Sequence, residues 1–168
     1  MALSKTTPPA GYSSLQVTLH WATMVLVALQ LIFPEGISRA FEAGLRTGEL
    51  SFSVPVVMHF FFGSVITFLV MWRLMLRNER GVPGHVEGEP AIFQKLSTYA
   101  HWGFYIVLLL LPVTGALAWG MAAEGPGEAH EILKMALLVL IAGHVGAVII
   151  HQFVWKTNIL ARMTKPQN

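Results

Sequence analysis

Cysteine and aspartate are absent from this 168-residue sequence, and only 12% of it is charged, about half of the roughly 25% carried by an ordinary soluble domain. Without cysteine there is no disulfide, no thiolate metal site and no Cys-x-x-Cys-His motif to fasten a c-type haem. Eleven lysines and arginines against nine glutamates leave a formal charge of +2, too small and too scattered for a nucleic-acid partner. The opening stretch MALSKTTPPAGYSS has no apolar run and no small-residue cleavage site. It reads as a polar tail rather than a signal peptide, so insertion into a membrane is left to later segments. No internal repeat or low-complexity tract interrupts the chain.

Apolar residues, by contrast, make up 54% of the chain. They concentrate in four segments, approximately 15–33, 54–76, 99–120 and 132–155, each close to the ~20 helical residues needed to cross a hydrocarbon core. An isolated span must be helical, because only a helix satisfies its own backbone polar groups in lipid. The expected fold class is all-α, an integral membrane four-helix bundle that forms a single domain over residues 1–168. The connections PEGISRAFEAGLRTGELSFSVP, RNERGVPGHVEGEP and MAAEGPGEAH combine glycine, proline and charge and read as loops. Lys5, Arg73, Arg77, Arg80, Lys95, Lys156, Arg162 and Lys165 fall on one side of the spans, and Arg39, Arg46 and Lys134 on the other, a split of 8 to 3. That bias places both termini in the cytoplasm, and Trp21, Trp72, Trp102, Trp119 and Trp155 lie near span ends as an interfacial belt requires.

Of seven histidines, only His85 lies in a polar loop, where solvation explains it; His20, His59, His101, His130, His144 and His151 lie in or at the edge of a span. Ionisable groups in a membrane interior are costly and mark function by default. One such ring is as readily explained by a hydrogen bond to a neighbouring helix; six are not. His130 and His144 are 14 residues apart, which is about 21 Å along a helix and within about 40° of one face. A bundle presenting neutral imidazoles at two depths suits haem, whose iron takes axial protein ligands. A zinc ion would need three or four ligands converging on one point. Each haem wants a second histidine at matching depth, which pairs His20 with His144 near the inner end and His59 with His130 near the outer end. On depth alone His101 is a rival to His20. Gly63, Gly143 and Gly146 either make room for a flat macrocycle or serve ordinary small-residue helix packing.

Arg73 follows His59 by 14 residues on the same helix face. It either pairs with a haem propionate or anchors the inner end of the span together with Arg77 and Arg80. Thr18, two residues before His20, is placed to bond a propionate, a quinone oxygen or its own helix backbone. His151, two turns beyond His144, is too close to it for a further haem; it lines a pocket beside the inner haem or is an ordinary interfacial histidine.

These residues resemble the bacterial cytochrome b561 family, two-haem, four-helix membrane proteins that exchange electrons with quinone. The likeness covers roughly residues 12–163 through YSSLQVTLHW, VVMHFFFG with WRLMLR, AHWGFYIVLLLLPVTG, HEILKMALLVLIAGH and HQFVWKTN. Each motif is weak alone, and the set is specific. The resemblance implies two b-type haems with His20, His59, His130 and His144 as axial ligands to iron, and His101 as a non-ligand. It also implies ubiquinone near Thr18 and His151, a bacterial inner-membrane location and, in some members, superoxide as the outer donor. Oxidation of an anion would gain from a positive outer surface. Here Arg39 and Arg46 stand against Glu35, Glu42 and Glu49, and the second outer loop holds Glu124 and Glu128, which departs from that expectation. The expected function is electron transfer across the membrane between an outer donor, superoxide or a redox protein, and ubiquinone. The alternative is a cytochrome b anchor and electron-transfer subunit of a separate dehydrogenase. A haem-free transporter or structural bundle with a histidine proton relay ranks third.

Overall fold

The computed structural model describes residues 9–33, 35–86 and 88–167. The described residues form five helices and no strand: α1 (Ser14–Ile32), α2 (Glu35–Thr47), α3 (Val54–Arg80), α4 (Ala91–Met121) and α5 (Glu124–Ile149). The last runs into a π-turn (Ile150–Val154), followed by a 3-10 turn (Ile159–Met163). Four of these, α1, α3, α4 and α5 with its π-turn, are long and apolar enough to cross a membrane. Lys5 lies outside the described residues, as does the side chain of Glu35.

The helices outrun the apolar segments because hydropathy marks only the stretch suited to hydrocarbon, whereas a helix continues until a local signal stops it. The third helix stops at Gly81, whose φ of 75° only glycine adopts without strain. The fourth starts beyond Pro90 and ends at Ala122 in the left-handed region. At the start of α1 the sequence Ser13-Ser14-Leu15-Gln16 forms a capping box. The Ser13 hydroxyl accepts from the Gln16 amide at 3.3 Å while the Gln16 side chain accepts from the Ser13 amide at 3.0 Å. Gln16 Nε2 also donates to Gly81 O at 3.2 Å, so the same side chain ties the start of α1 to the end of α3.

The bundle is built as two pairs. The most extensive packing joins α4 to α5; α1 packs on α3, and α3 meets α4. Gly103 lies in the seam of the first pair, where a Cβ would stand 3.4 Å from Leu140, at contact distance. The buried core is small: Val27 of α1, Ile66 and Val70 of α3, Val107 of α4 and Leu137 of α5. It lies midway along the helices, between the His20–His144 and His59–His130 levels. Only Leu137 is buried among the residues of α5.

The segment expected as the first outer loop contains α2. Its apolar residues Ile37, Phe41 and Leu45 recur every four positions, the stripe of an amphipathic helix, and its glycines and charges obscured that stripe. Phe41 stacks on Trp119 with ring centres 6.3 Å apart, and Gly127 leaves room for it, since a Cβ there would come within 2.9 Å of the Phe41 ring.

At the other end of the bundle the C-terminal turn folds back onto the start of the chain. Gln167 N donates to Tyr12 O at 2.9 Å, Trp21 Nε1 to Met163 O at 2.7 Å, and Arg162 to Gly84 O at 2.7 Å. Burial raises the pKa of the Tyr12 phenol, against the opposing pull of Arg77 and Arg162, so it remains neutral at pH 7.

Candidate functional site: two levels of paired histidines

Five of the six span histidines meet at two levels. Toward the end where the chain starts, His20 of α1 faces His144 of α5 with ring centres 6.4 Å apart and planes tilted by 57°. Toward the α2 end, His59 of α3 faces His130 of α5 at 6.3 Å and 62°. Both pairs bridge the seam between the α1/α3 and α4/α5 pairs. A metal–imidazole bond is about 2.0 Å and the ring centre lies about 1.1 Å beyond the nitrogen, so imidazoles on opposite sides of one iron have centres about 6.3 Å apart. The two separations therefore fit bis-imidazole ligation. A Cβ on Gly143 or Gly146, beside His144, would meet no atom within 4 Å, and at Gly63 it would meet only Gln30 Nε2, at 3.6 Å. Among the described residues no group of three or more His, Cys, Asp or Glu side chains could hold a metal ion.

The neighbours of each ring differ. His130 Nδ1 donates to Leu111 O on α4 at 2.9 Å, with the Thr114 hydroxyl 3.3 Å away, which leaves Nε2 as the lone-pair nitrogen. Gly115 allows that approach, because a Cβ there would stand 3.2 Å from His130 Cε1 and Nδ1. Gln30 of α1 donates to His59 O at 2.9 Å. His20 Nδ1 is buried and has no hydrogen-bond partner among the described residues. His101 gives its Nδ1 proton to Ser97 O at 2.6 Å and meets His144 edge-on at 5.6 Å, closer than two ligands of one iron.

Arg73 is half-buried, within electrostatic range of His20, His101, His144, Tyr12 and Tyr105. Arg77 instead lies over the Trp102 ring at 5.4 Å. Thr18 opens onto an apolar hollow of about 720 Å3 between α1 and α3, lined also by Trp21, Val25, Val65 and Leu69. His151 is elsewhere, buried in the π-turn, where it packs edge-on against Trp155 at 4.6 Å and meets the Thr157 hydroxyl at 3.0 Å. Its Nε2 lies 3.4 Å from Glu89. Thr18 and His151 thus have separate surroundings. Glu89 and Leu111 O did not stand out in the sequence. Glu89 had one signal, its place four residues after His85; a carbonyl has none.

Membrane-length helices carrying histidine pairs across their seam define the class: a helical membrane protein with imidazoles paired at two levels. The chain belongs to the prokaryotic cytochrome b561 family, whose pattern it matches over residues 11–166. It is 31% identical to cytochrome b562 of Cereibacter sphaeroides over 163 residues, covering 96% of this chain and 99% of the relative. It is 25% identical to cytochrome b561 homolog 1 of Escherichia coli over 175 residues, covering 90% and 96%. With the probable superoxide oxidase CybB of Yersinia pestis the identity is 24% over 176 residues, covering 90% and 94%. Membership of this family makes the protein a membrane electron-transfer cytochrome with b-type haem.

Proposed function

We propose that this protein is a di-haem cytochrome b, a single four-helix domain that carries electrons across the bacterial inner membrane from an outer donor to ubiquinone. The observation that carries the reading is the pair of cross-seam separations, 6.4 Å for His20–His144 and 6.3 Å for His59–His130. His20 and His144 hold the inner haem, and His59 and His130 the outer. When bound, each haem supplies one-electron redox chemistry at its iron. The chain's own groups set the rest. Leu111 O fixes the His130 tautomer, the mid-depth core keeps water from between the two levels, and Arg73 offers a half-buried positive charge to an inner propionate.

Ubiquinone approaches at the inner end, where the hollow beside Thr18 gives an apolar tail a place to lie and His151 offers a polar group. Tyr12 and Gln167 meet at that end, and both termini face the cytoplasm in keeping with the lysine and arginine bias. Superoxide is the favoured donor. The name of the Yersinia pestis relative supports it; on α2, Arg39 and Arg46 are matched in number by Glu35 and Glu42. That helix connects to the outer pair through Phe41, Trp119, Phe60 and His59.

Pyridine haemochrome analysis of the purified protein should count two haems per chain; one would defeat the two-level reading. Rapid mixing with superoxide and a short-chain ubiquinone should give quinol faster than the uncatalysed reaction. An unchanged rate would put the anchor subunit of a separate dehydrogenase ahead.

A further inference from the structure

The histidines outside the two levels are not idle. Between α3 and α4 the loop carries Glu89, whose side chain is only 5% exposed and stands between two imidazoles. His85 Nδ1 is 3.7 Å from one carboxylate oxygen and 44% exposed; His151 Nε2 is 3.4 Å from the other and 7% exposed. Among the described residues no lysine or arginine forms an ion pair with Glu89. A buried carboxylate without a permanent cation is costly unless it or a neighbour holds a proton.

Hydrogen bonding at His151 says where that proton sits. The Thr157 hydroxyl gives its single proton to His151 O at 3.1 Å, so at 3.0 Å from His151 Nδ1 it can only accept, and Nδ1 carries a hydrogen. The other nitrogen, Nε2, then faces Glu89. Two lone pairs would repel there, so one proton lies on Nε2 or on the carboxyl group. The separation of 3.4 Å is longer than the ~2.9 Å of a strong N–H···O bond. The π-turn that holds His151 is the backbone irregularity often found at functional positions.

His85 completes a path to water. It lines a surface hollow of about 240 Å3 with Gln94, Lys95 and Tyr99 of α4. The groups that face this trio are Lys95 and Tyr99 beside His85, His101 within electrostatic range of His85, and Thr157 and Trp155 against His151. Gln94 Nε2 donates to Glu89 O at 2.8 Å and holds the loop in place.

We propose that His85, Glu89 and His151 form a proton relay between the water at the end of the bundle where Gln167 meets Tyr12 and the quinone site; this rests on the reading of a quinone at that end. Reduction of one quinone takes two electrons from the haem side and two protons. Each proton enters at His85, passes to the Glu89 carboxylate and is taken up at His151 Nε2. The ring releases its Nδ1 hydrogen to the Thr157 hydroxyl, which passes its own proton on to a quinone oxygen. Oxidation of quinol runs the same path outward, with two electrons passed to the haems and two protons released through Glu89.

The test is stopped-flow reduction of the haem-loaded protein by a short-chain ubiquinol. Glu89→Gln keeps the shape of the side chain and cannot carry a proton. The expected result is haem reduction slowed on the order of 100-fold, with haem content and dithionite reduction unchanged. Formate should partly restore the rate as a small diffusible acid. His85→Asn, at an exposed position, should slow the reaction in the same direction by a smaller factor. Glu89→Gln at the wild-type rate would overturn the relay, and so would a slow variant that formate does not rescue, since that marks a packing role alone. If ubiquinol fails to reduce the wild-type haems, the quinone reading falls and takes the relay with it, an outcome distinct from failure in the variant only.

Discussion

Replacing His144 by leucine is expected to leave one haem per chain of the two proposed for the wild type. Leucine keeps the packing against Phe104, whose ring meets His144 edge-on at 5.6 Å, and removes the nitrogen that faces His20. The loss should therefore appear as missing inner haem rather than as an unfolded protein, with pyridine haemochrome falling by half and the His59–His130 level still reducible. His101→Leu is the discriminating control. His101 lies as near to His144 as Phe104 does, yet its Nδ1 is held by Ser97 O and its 5.6 Å separation is short for a shared iron. It should retain two haems. Equal loss from both variants would transfer the inner ligand role to His101, and two haems in His144→Leu would refute the inner pair.

Valine at Gly115 should cost the outer haem while sparing the inner one. A bare Cβ at that position already stands 3.2 Å from the His130 ring, and the γ-carbons of valine add to the crowding. Overpacking of this kind costs about 1–3 kcal/mol. The ring is anchored at Leu111 O by a 2.9 Å hydrogen bond, so it relieves the clash only by giving up that bond or by pushing α4 from α5. Either change moves Nε2 away from His59. The measurement is a redox titration that resolves the two haems, with Gly120→Ala as control, because Gly120 is exposed and a Cβ there meets nothing within 4 Å. An outer haem of unchanged content and potential in Gly115→Val would show that the Leu111–His130 contact does not govern that level.

Much of the architecture was legible because it depends on local properties. The membrane spans follow from runs of apolar residues, and the axial separation of His130 and His144 from helix rise alone. The α2 stripe was equally local, but Gly36, Gly44 and four charged residues diluted it, so the segment read as a loop. Helix ends were displaced wherever a polar helix continued past the hydrocarbon, as α4 does from Ala91.

By itself the sequence determined that the chain is a helical membrane protein with imidazoles at two depths, since both facts are sums over neighbouring residues. Only the tertiary structure decided which rings face each other and what surrounds them. Depth could not separate His20 from His101; the packing of α1 on α3 and of α4 on α5 sets His20 across the seam from His144 and leaves His101 against its side. The Leu111 carbonyl on His130 and the contact between Glu89 and His151 join residues 19 and 62 positions apart in the chain. No periodicity encodes such contacts, because they arise from how separate helices and turns pack and not from the pattern along any one of them.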